Sequence, residues 1–225
     1  MATEPTIEVF TDEGTTDLSK KASTLLQKDL DKPETICIKE HLYFYQEIDD
    51  DSAKELIAAL HNLAAELITA SLQYTETVLP SIKLHINSGG GSVSSALGIV
   101  KCIEDLQSGR FHKVGDIPIP VRVDTYIEGE ADSAASVIAC VGNKRYISKY
   151  ATSVIHNPRQ QSFSTETPND IDERKANLDL CKKMLNSIYL AHSKLSEERL
   201  NEIMSHELSY APEQLLEFGL VDVIE

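Results

Sequence analysis

Three glycines in a row, Gly89-Gly90-Gly91, stand between a strand-like apolar run, Lys83 to Ile86, and a helical stripe of Val93, Leu97, Val100, Ile103 and Leu106. A plain strand-to-helix turn needs fewer. Consecutive glycines suit a place where bare backbone must come close to another group. Two further stretches share the setting. Gly129-Glu130-Ala131-Asp132-Ser133-Ala134 follows the apolar run Val121 to Ile127, and Val154-Ile155-His156-Asn157-Pro158 ends another. In an α/β chain such strand ends gather on one side of the sheet. A glycine-rich backbone, a hydroxyl and an imidazole are thereby expected together. A serine needs a base to become a nucleophile, and acyl transfer needs backbone N–H donors for its oxyanion.

The rest of the chain reads as alternating strand and helix, which argues for α/β with parallel crossovers. Residues 1–35 are polar and charged and are expected to form an N-terminal arm or extension. Thr35 to Ile38 and Leu42 to Tyr45 are strand-like. Ser52 with Glu55 three residues on is a capping-box pattern, and Leu56, Ile57, Leu60, Leu63, Ala64, Leu67 and Ile68 follow at helical spacing. Ser108 to Pro120 reads as a loop. Ser133 to Val141 reads as a short apolar helix ending at Gly142. Lys144 to Ser148 and Thr152 to His156 are strand-like, and Arg159 to Pro168 is a polar loop or edge segment. Asp170 to His192 is the longest helical stretch. Leu178, Cys181, Leu185 and Ile188 form one stripe, widened by Leu180, Met184 and Leu190, so packing against two surfaces is expected. Ser196 to Met204 and Ala211 to Phe218 are short helices, the second with Pro212 at its start and Gly219 at its end. Leu220 to Ile224 closes as a strand.

The formal net charge is −15, which repels phosphate backbones and disfavours nucleic-acid binding. Cys37, Cys102, Cys140 and Cys181 form no CxxC pair and lie in apolar runs, so buried free thiols in a reducing compartment are expected. The first residues lack a signal-peptide pattern, and no stretch reads as the ~20 apolar residues of a membrane helix. The expectation is a soluble, cytoplasmic protein with no membrane partner, no metal and no bound cofactor.

These residues resemble the ClpP family, the proteolytic subunit of the Clp ATP-dependent serine proteases. The similarity runs from about Leu42 to Ile224. It rests on Ile86-Asn87-Ser88-x-Gly90-Gly91-Ser92-Val93, the Gly-x-Ala-x-Ser run ending at Ser133, Lys144-Arg145-Tyr146, Ile155-His156-x-Pro158, and the segment from Ala211-Pro212-Glu213 to Asp222. The resemblance implies a crotonase-like spiral of strands and helices over residues 36–225, with a projecting handle at about 160–193. It implies heptameric rings stacked in pairs as a tetradecamer (a homo-oligomer), an AAA+ unfoldase partner and unfolded polypeptide substrates. ATP would be used by that partner, since GxxxxGK[ST] is absent here.

Residue by residue, the resemblance makes Ser133 the nucleophile, His156 the general base, and the Gly91 and Ala134 amides the oxyanion hole. Taken alone, Ser133 reads rather as a helix N-cap and His156 as one structural histidine among seven. The family's aspartate is missing, because no Asp lies between Asp179 and Asp222. Its place falls on His206 or, after a one-residue shift, on Glu207, which is the preferred candidate; a Ser–His dyad is the third account. Further departures are Asp132 beside Ser133, positioned to raise the imidazole pKa or else to point outward, Gly89 in place of proline, which loosens the loop, and Ser205 in place of an inter-ring arginine.

The leading expectation is therefore a compartmentalised serine endopeptidase working through an acyl-enzyme. A catalytically weakened ClpP-like pseudo-subunit with an assembly role is the alternative. An acyl-CoA enzyme of crotonase fold is disfavoured by the Ser133/His156 pair.

Overall fold

The computed structural model describes residues 35–74, 80–160 and 165–225. The N-terminal arm expected over 1–35 lies outside them except for Thr35, as do Gln161, Ser162 and Ser164 of the polar segment. Among the described residues, six strands form one sheet. They are β1 (Ile36–Ile38), β2 (His41–Phe44), β3 (Ser81–Ser88), β6 (Arg122–Ala131), β7 (Arg145–Ile147) and β10 (Val223–Ile224), hydrogen-bonded in that order. Only β1 runs antiparallel to its neighbour. The crossovers carry α1 (Asp50–Tyr74), α2 (Val93–Gln107) and α3 (Ala134–Cys140), giving the mixed α/β, mostly parallel architecture that the alternation predicts.

The sheet's two faces differ because the strand period is two. Ile82, Leu84 and Ile86 on β3 and Val123, Thr125 and Ile127 on β6 are buried. They pack with Leu56, Leu60, Ala64, Ile99, Ile103 and Leu106 of the helices in one core. The alternate positions bear rings. Tyr43, His85, Tyr126 and Tyr146 are cross-strand partners on four adjacent strands, stacked with centroids 4.5, 4.7 and 4.4 Å apart.

Helix starts follow local chemistry, with one shift. The first helix begins at Asp50 rather than Ser52, because Asp49 caps it. Asp49 Oδ1 accepts the Ser52 and Asp51 amides at 2.7 and 2.9 Å, and Ser52 Oγ accepts the Asp49 amide at 2.9 Å. By length and composition this helix could cross a membrane, contrary to the sequence reading. Its apolar side is one stripe against the sheet, while Lys54, Glu55 and Glu66 face out, the pattern of a core helix. The expected loop 108–120 contains a hairpin, β4 (Lys113–Val114) with β5 (Ile117–Pro118), turned at Gly115, whose φ is 61°.

The stretch read as the longest in the sequence forms α4 (Pro168–Ala191), which at 24 residues is one shorter than α1 at 25; it is capped by Thr167 with Asp170 completing a capping box. Only Leu185, Asn186 and Tyr189 on it are buried, and Ile171, Leu180 and Met184 are exposed, so within one chain it does not pack on two surfaces. Helices α5 (Glu197–Met204) and α6 (Pro212–Phe218) flank β9 (Ser209–Tyr210), which pairs antiparallel with β8 (Ser153–Val154). Cys102 and Cys140 are buried free thiols, each pushed up to about 12 by burial. Cys37 is exposed and Cys181 half-buried, because β1 is an edge strand and most of α4 is uncovered.

The chain end is tied to the sheet by charge. Arg145 donates through Nε and Nη2 to Asp222 at 2.9 and 2.6 Å and through Nη1 to the His192 carbonyl at the end of α4. Those bonds hold the Asp222 carboxyl below its ordinary value. A carboxylate with a lowered folded pKa contributes stability above its unfolded pKa and loses it as pH falls through the folded value. Asp222→Asn should therefore lower Tm at pH 7, and the deficit should shrink as pH drops below about 4, measured by thermal unfolding at both ends.

Candidate active site

The site sits where β3 and β6 end. Between the partner pairs Ile86/Ile127 and Ser88/Ala131 the register shifts, so β6 advances four residues while β3 advances two. The extra length carries Asp132 and Ser133 across the glycine run. There Gly90 has φ 95°, and a Cβ on it would lie 2.6 Å from the Asp132 carbonyl oxygen and 2.8 Å from Ser133 Cβ. Gly91 has φ 139°, and a Cβ there would lie 2.2 Å from the Ile48 carbonyl oxygen. Both positions therefore admit only glycine. The loop is not loosened by Gly89. Ile48 brackets it by donating to the Gly90 carbonyl at 2.8 Å and accepting from the Ser92 amide at 2.7 Å.

Ser133 occupies the N-cap position of α3 but makes no side-chain cap bond. Its backbone stands at φ 54°, ψ −121°, a conformation L-residues rarely adopt and which costs ~1–3 kcal/mol. The hydroxyl turns instead to His156, with Oγ 2.8 Å from Nε2. Among the described residues, the amides of Gly91 and Ala134 have no hydrogen-bond partner. That of Ala134 is the first helical N–H, which no intrahelical carbonyl can reach. Ser133, His156, Gly89, Gly90, Gly91, Val93, Pro158, Arg159 and Glu47 line one open cleft of about 470 Å³.

His156 is delivered by β8. Ser133 donates its amide to the Val154 carbonyl at 2.7 Å, and Asp132 Oδ1 accepts the Val154 amide at 2.7 Å. Asp132 therefore points inward and braces the Ser133 loop to the strand that leads to His156. Sequence reasoning missed this role, because the pairing spans 22 residues and has no local signature. The β8/β9 register pairs Val154 with Ser209. Continued two residues, it sets Glu207 opposite His156, and Glu207 Oε1 lies 3.3 Å from Nδ1. His206, one residue off, is exposed and makes no side-chain hydrogen bond among the described residues. Glu207 is 54% exposed and also pairs with Arg159, a partner that sequence reasoning did not single out.

The His156 pKa is lowered, first by burial and then by the Arg159 cation, with Asp132 opposing. The expected upward push from Asp132 exists but is outweighed. Glu207 is more than half exposed, where solvent screens its charge. The imidazole is thus neutral at neutral pH, Nε2 can take a proton, and the paired amides can receive developing negative charge.

A hydroxyl, an imidazole and a carboxylate in a row beside free backbone amides at the end of a parallel sheet define a hydrolase-like site. The sequence model of the Clp protease family matches residues 27–225, so the chain belongs to that family, whose members are ClpP-type peptidases. A curated relative, the ATP-dependent Clp protease proteolytic subunit 4 of Rhodococcus jostii (strain RHA1), is 27% identical over 180 residues, covering 79% of this chain and 80% of its own.

The electrostatics make a signed prediction. In an NMR titration, the His156 midpoint should lie below the ordinary value of about 6.5. Arg159→Ala should move it up, since a cation is removed, and Asp132→Asn should move it down.

Proposed function

We propose that this chain is a serine endopeptidase that cleaves unfolded polypeptides through an acyl-enzyme. The single observation that carries the reading is the 2.8 Å contact between Ser133 Oγ and His156 Nε2, made by a serine that forgoes its capping bond. Ser133 Oγ attacks the scissile carbonyl carbon as its proton passes to Nε2. The new oxyanion accepts hydrogen bonds from the Gly91 and Ala134 amides. Nε2 then gives the proton to the leaving amine, and an ester to Ser133 remains. Water, deprotonated by the same nitrogen, attacks the ester and releases the acid. Glu207 holds Nδ1–H and so sets the tautomer. Its exposure and its sharing with Arg159 make it a weak orienter. The glycine strip at the cleft floor suits a peptide added as an extended strand.

The wider reading rests on the family. The handle is α4, whose exposed Ile171, Leu180 and Met184 suit subunit contacts in stacked heptameric rings. An AAA+ unfoldase supplies chains to the enclosed sites, in the cytoplasm. Residues 1–35 are an appended arm and 36–225 the protease domain.

A fluorophosphonate probe should label Ser133, and Ser133→Ala should abolish peptide hydrolysis while assembly persists. Glu207→Ala should lower kcat by about tenfold or less, whereas His206→Ala should leave it within twofold. Absence of labelling in folded wild-type protein, beside a reactive control peptidase, would overturn the enzymatic reading and leave the pseudo-subunit role.

A further inference from the structure

Behind the cleft, two buried hydroxyls connect α4 to the peptide group of Ser133. Ser136 Oγ lies 2.6 Å from the Ser133 carbonyl oxygen and 2.6 Å from Tyr189 Oη. The Ser136 amide donates to the same carbonyl at 3.1 Å. Ser136 is 5% exposed and Tyr189 2% exposed. Ser136 has one hydroxyl proton and spends it on the carbonyl, which can only accept. Tyr189 must then donate to Ser136 Oγ. Burial pushes the Tyr189 pKa far up, so the phenol keeps its proton. The space around the pair is about 10 Å³ and is walled mainly by Ile127, Ala139, Cys140, Ile155 and Leu215. That is at the lower limit for one water molecule, and the other polar side chains on its wall, Ser153 and Cys140, are spent on the Ala131 and Val137 carbonyls.

The carbonyl of Ser133 and the N–H of Ala134 belong to one planar trans peptide, and they point in opposite directions. Whatever pins the carbonyl aims the amide. Two donors from Ser136, backbone and side chain, pull the carbonyl away from the cleft, and Tyr189 fixes the side chain that provides the second. On the peptidase reading of this cleft, we propose that Ser136 and Tyr189 are positioning residues that aim the Ala134 amide at the oxyanion, through a hydroxyl relay running from α4 to α3. Neither residue touches substrate. The relay also restrains the Ser133 backbone at ψ −121°, since rotation about ψ would swing the carbonyl off Ser136.

The test compares full-length wild type with Tyr189→Phe, which deletes one oxygen and keeps the ring. Removing an oxyanion donor outright typically costs 10²–10³ in kcat; a misaimed donor should cost less. The expected result is a kcat about tenfold lower, a KM within twofold, and a peptide boronate bound about tenfold more weakly. Hydrogen exchange read by mass spectrometry should show the hydrogen-bonded Ala135 and Ser136 amides at least tenfold faster, with α1 unchanged. Ser136→Ala should reproduce all of this and takes over if Tyr189→Phe does not fold. A kcat and boronate affinity within twofold of wild type would overturn the proposal, whatever the exchange shows. So would a loss confined to KM. If wild type hydrolyses nothing, the peptidase reading fails separately. Exchange then decides the relay alone, where faster amides support it and unchanged ones overturn it.

Discussion

A serine backbone at φ 54° persists only where its surroundings leave it no other course, and here the surroundings begin with a missing side chain. Gly90 lets the Asp132–Ser133 backbone lie against the glycine loop at a separation that any Cβ would forbid. The β3/β6 register shift supplies the extra length in β6 that reaches over the loop. Gly129 belongs to the same device, because a Cβ on it would lie 2.6 Å from Asn87 Oδ1. The cleft is thus built by two loops in van der Waals contact at the ends of neighbouring parallel strands. Ile48 clamps one and Val154 clamps the other. The strain at Ser133 is local, while the bonds that hold it are spread over β3, β6, β8 and α3. A single rare dihedral survives for that reason.

Around His156 three charges compete, and their geometry ranks them. Asp132 is half-buried and spends one oxygen on the Val154 amide, so its charge is partly committed. Arg159 and Glu207 form an exposed pair at the rim, where solvent screening and mutual cancellation weaken both. Burial of the ring dominates, and burial favours the neutral form. A neutral imidazole with a hydroxyl on Nε2 is the form a general base requires. The carboxylate on Nδ1 adds orientation more than charge. The departures from the family pattern at Asp132 and at the third position therefore act in different ways: one braces backbone, the other steers a tautomer.

Much of this was legible in the sequence wherever local chemistry decides. The glycine run, the strand-then-helix alternation, the stripe on α1 and the Gly219 stop all declare themselves within a few residues. Ser133 and His156 stand out only through the motifs that carry the family resemblance, since each alone reads as a cap or a structural histidine. What escaped is non-local. The first helix starts at Asp50 because Asp49 and Ser52 cap reciprocally, and a Ser/Glu pattern three residues on conceals that. The hairpin at 113–118 hides in a Gly- and Pro-rich stretch. The choice between Glu207 and His206 follows from the β8/β9 register, because a one-residue step in a strand reverses the face. No spacing along the chain contains that register. Tyr189 falls outside the stripe read on its helix, and its hydroxyl matters only because Ser136 of α3 lies against it.

The seven histidines illustrate why residue type alone carries so little. His85 is nearly buried, stacked between Tyr43 and Tyr126, and both its ring nitrogens have partners on the sheet. One faces Glu128 and the other lies 2.7 Å from His41 Nδ1. Such an imidazole has no free nitrogen to offer a substrate, however well placed it is on a central strand. His156 spends one nitrogen on Glu207 and keeps the other on a hydroxyl at the floor of an open cleft. A hydroxyl is a partner that can itself be consumed and returned during a reaction, whereas a ring stack and a carboxylate can only hold. The difference between a structural and a reactive histidine is therefore the identity of its second partner, and the fold sets that identity through which strand ends it brings side by side.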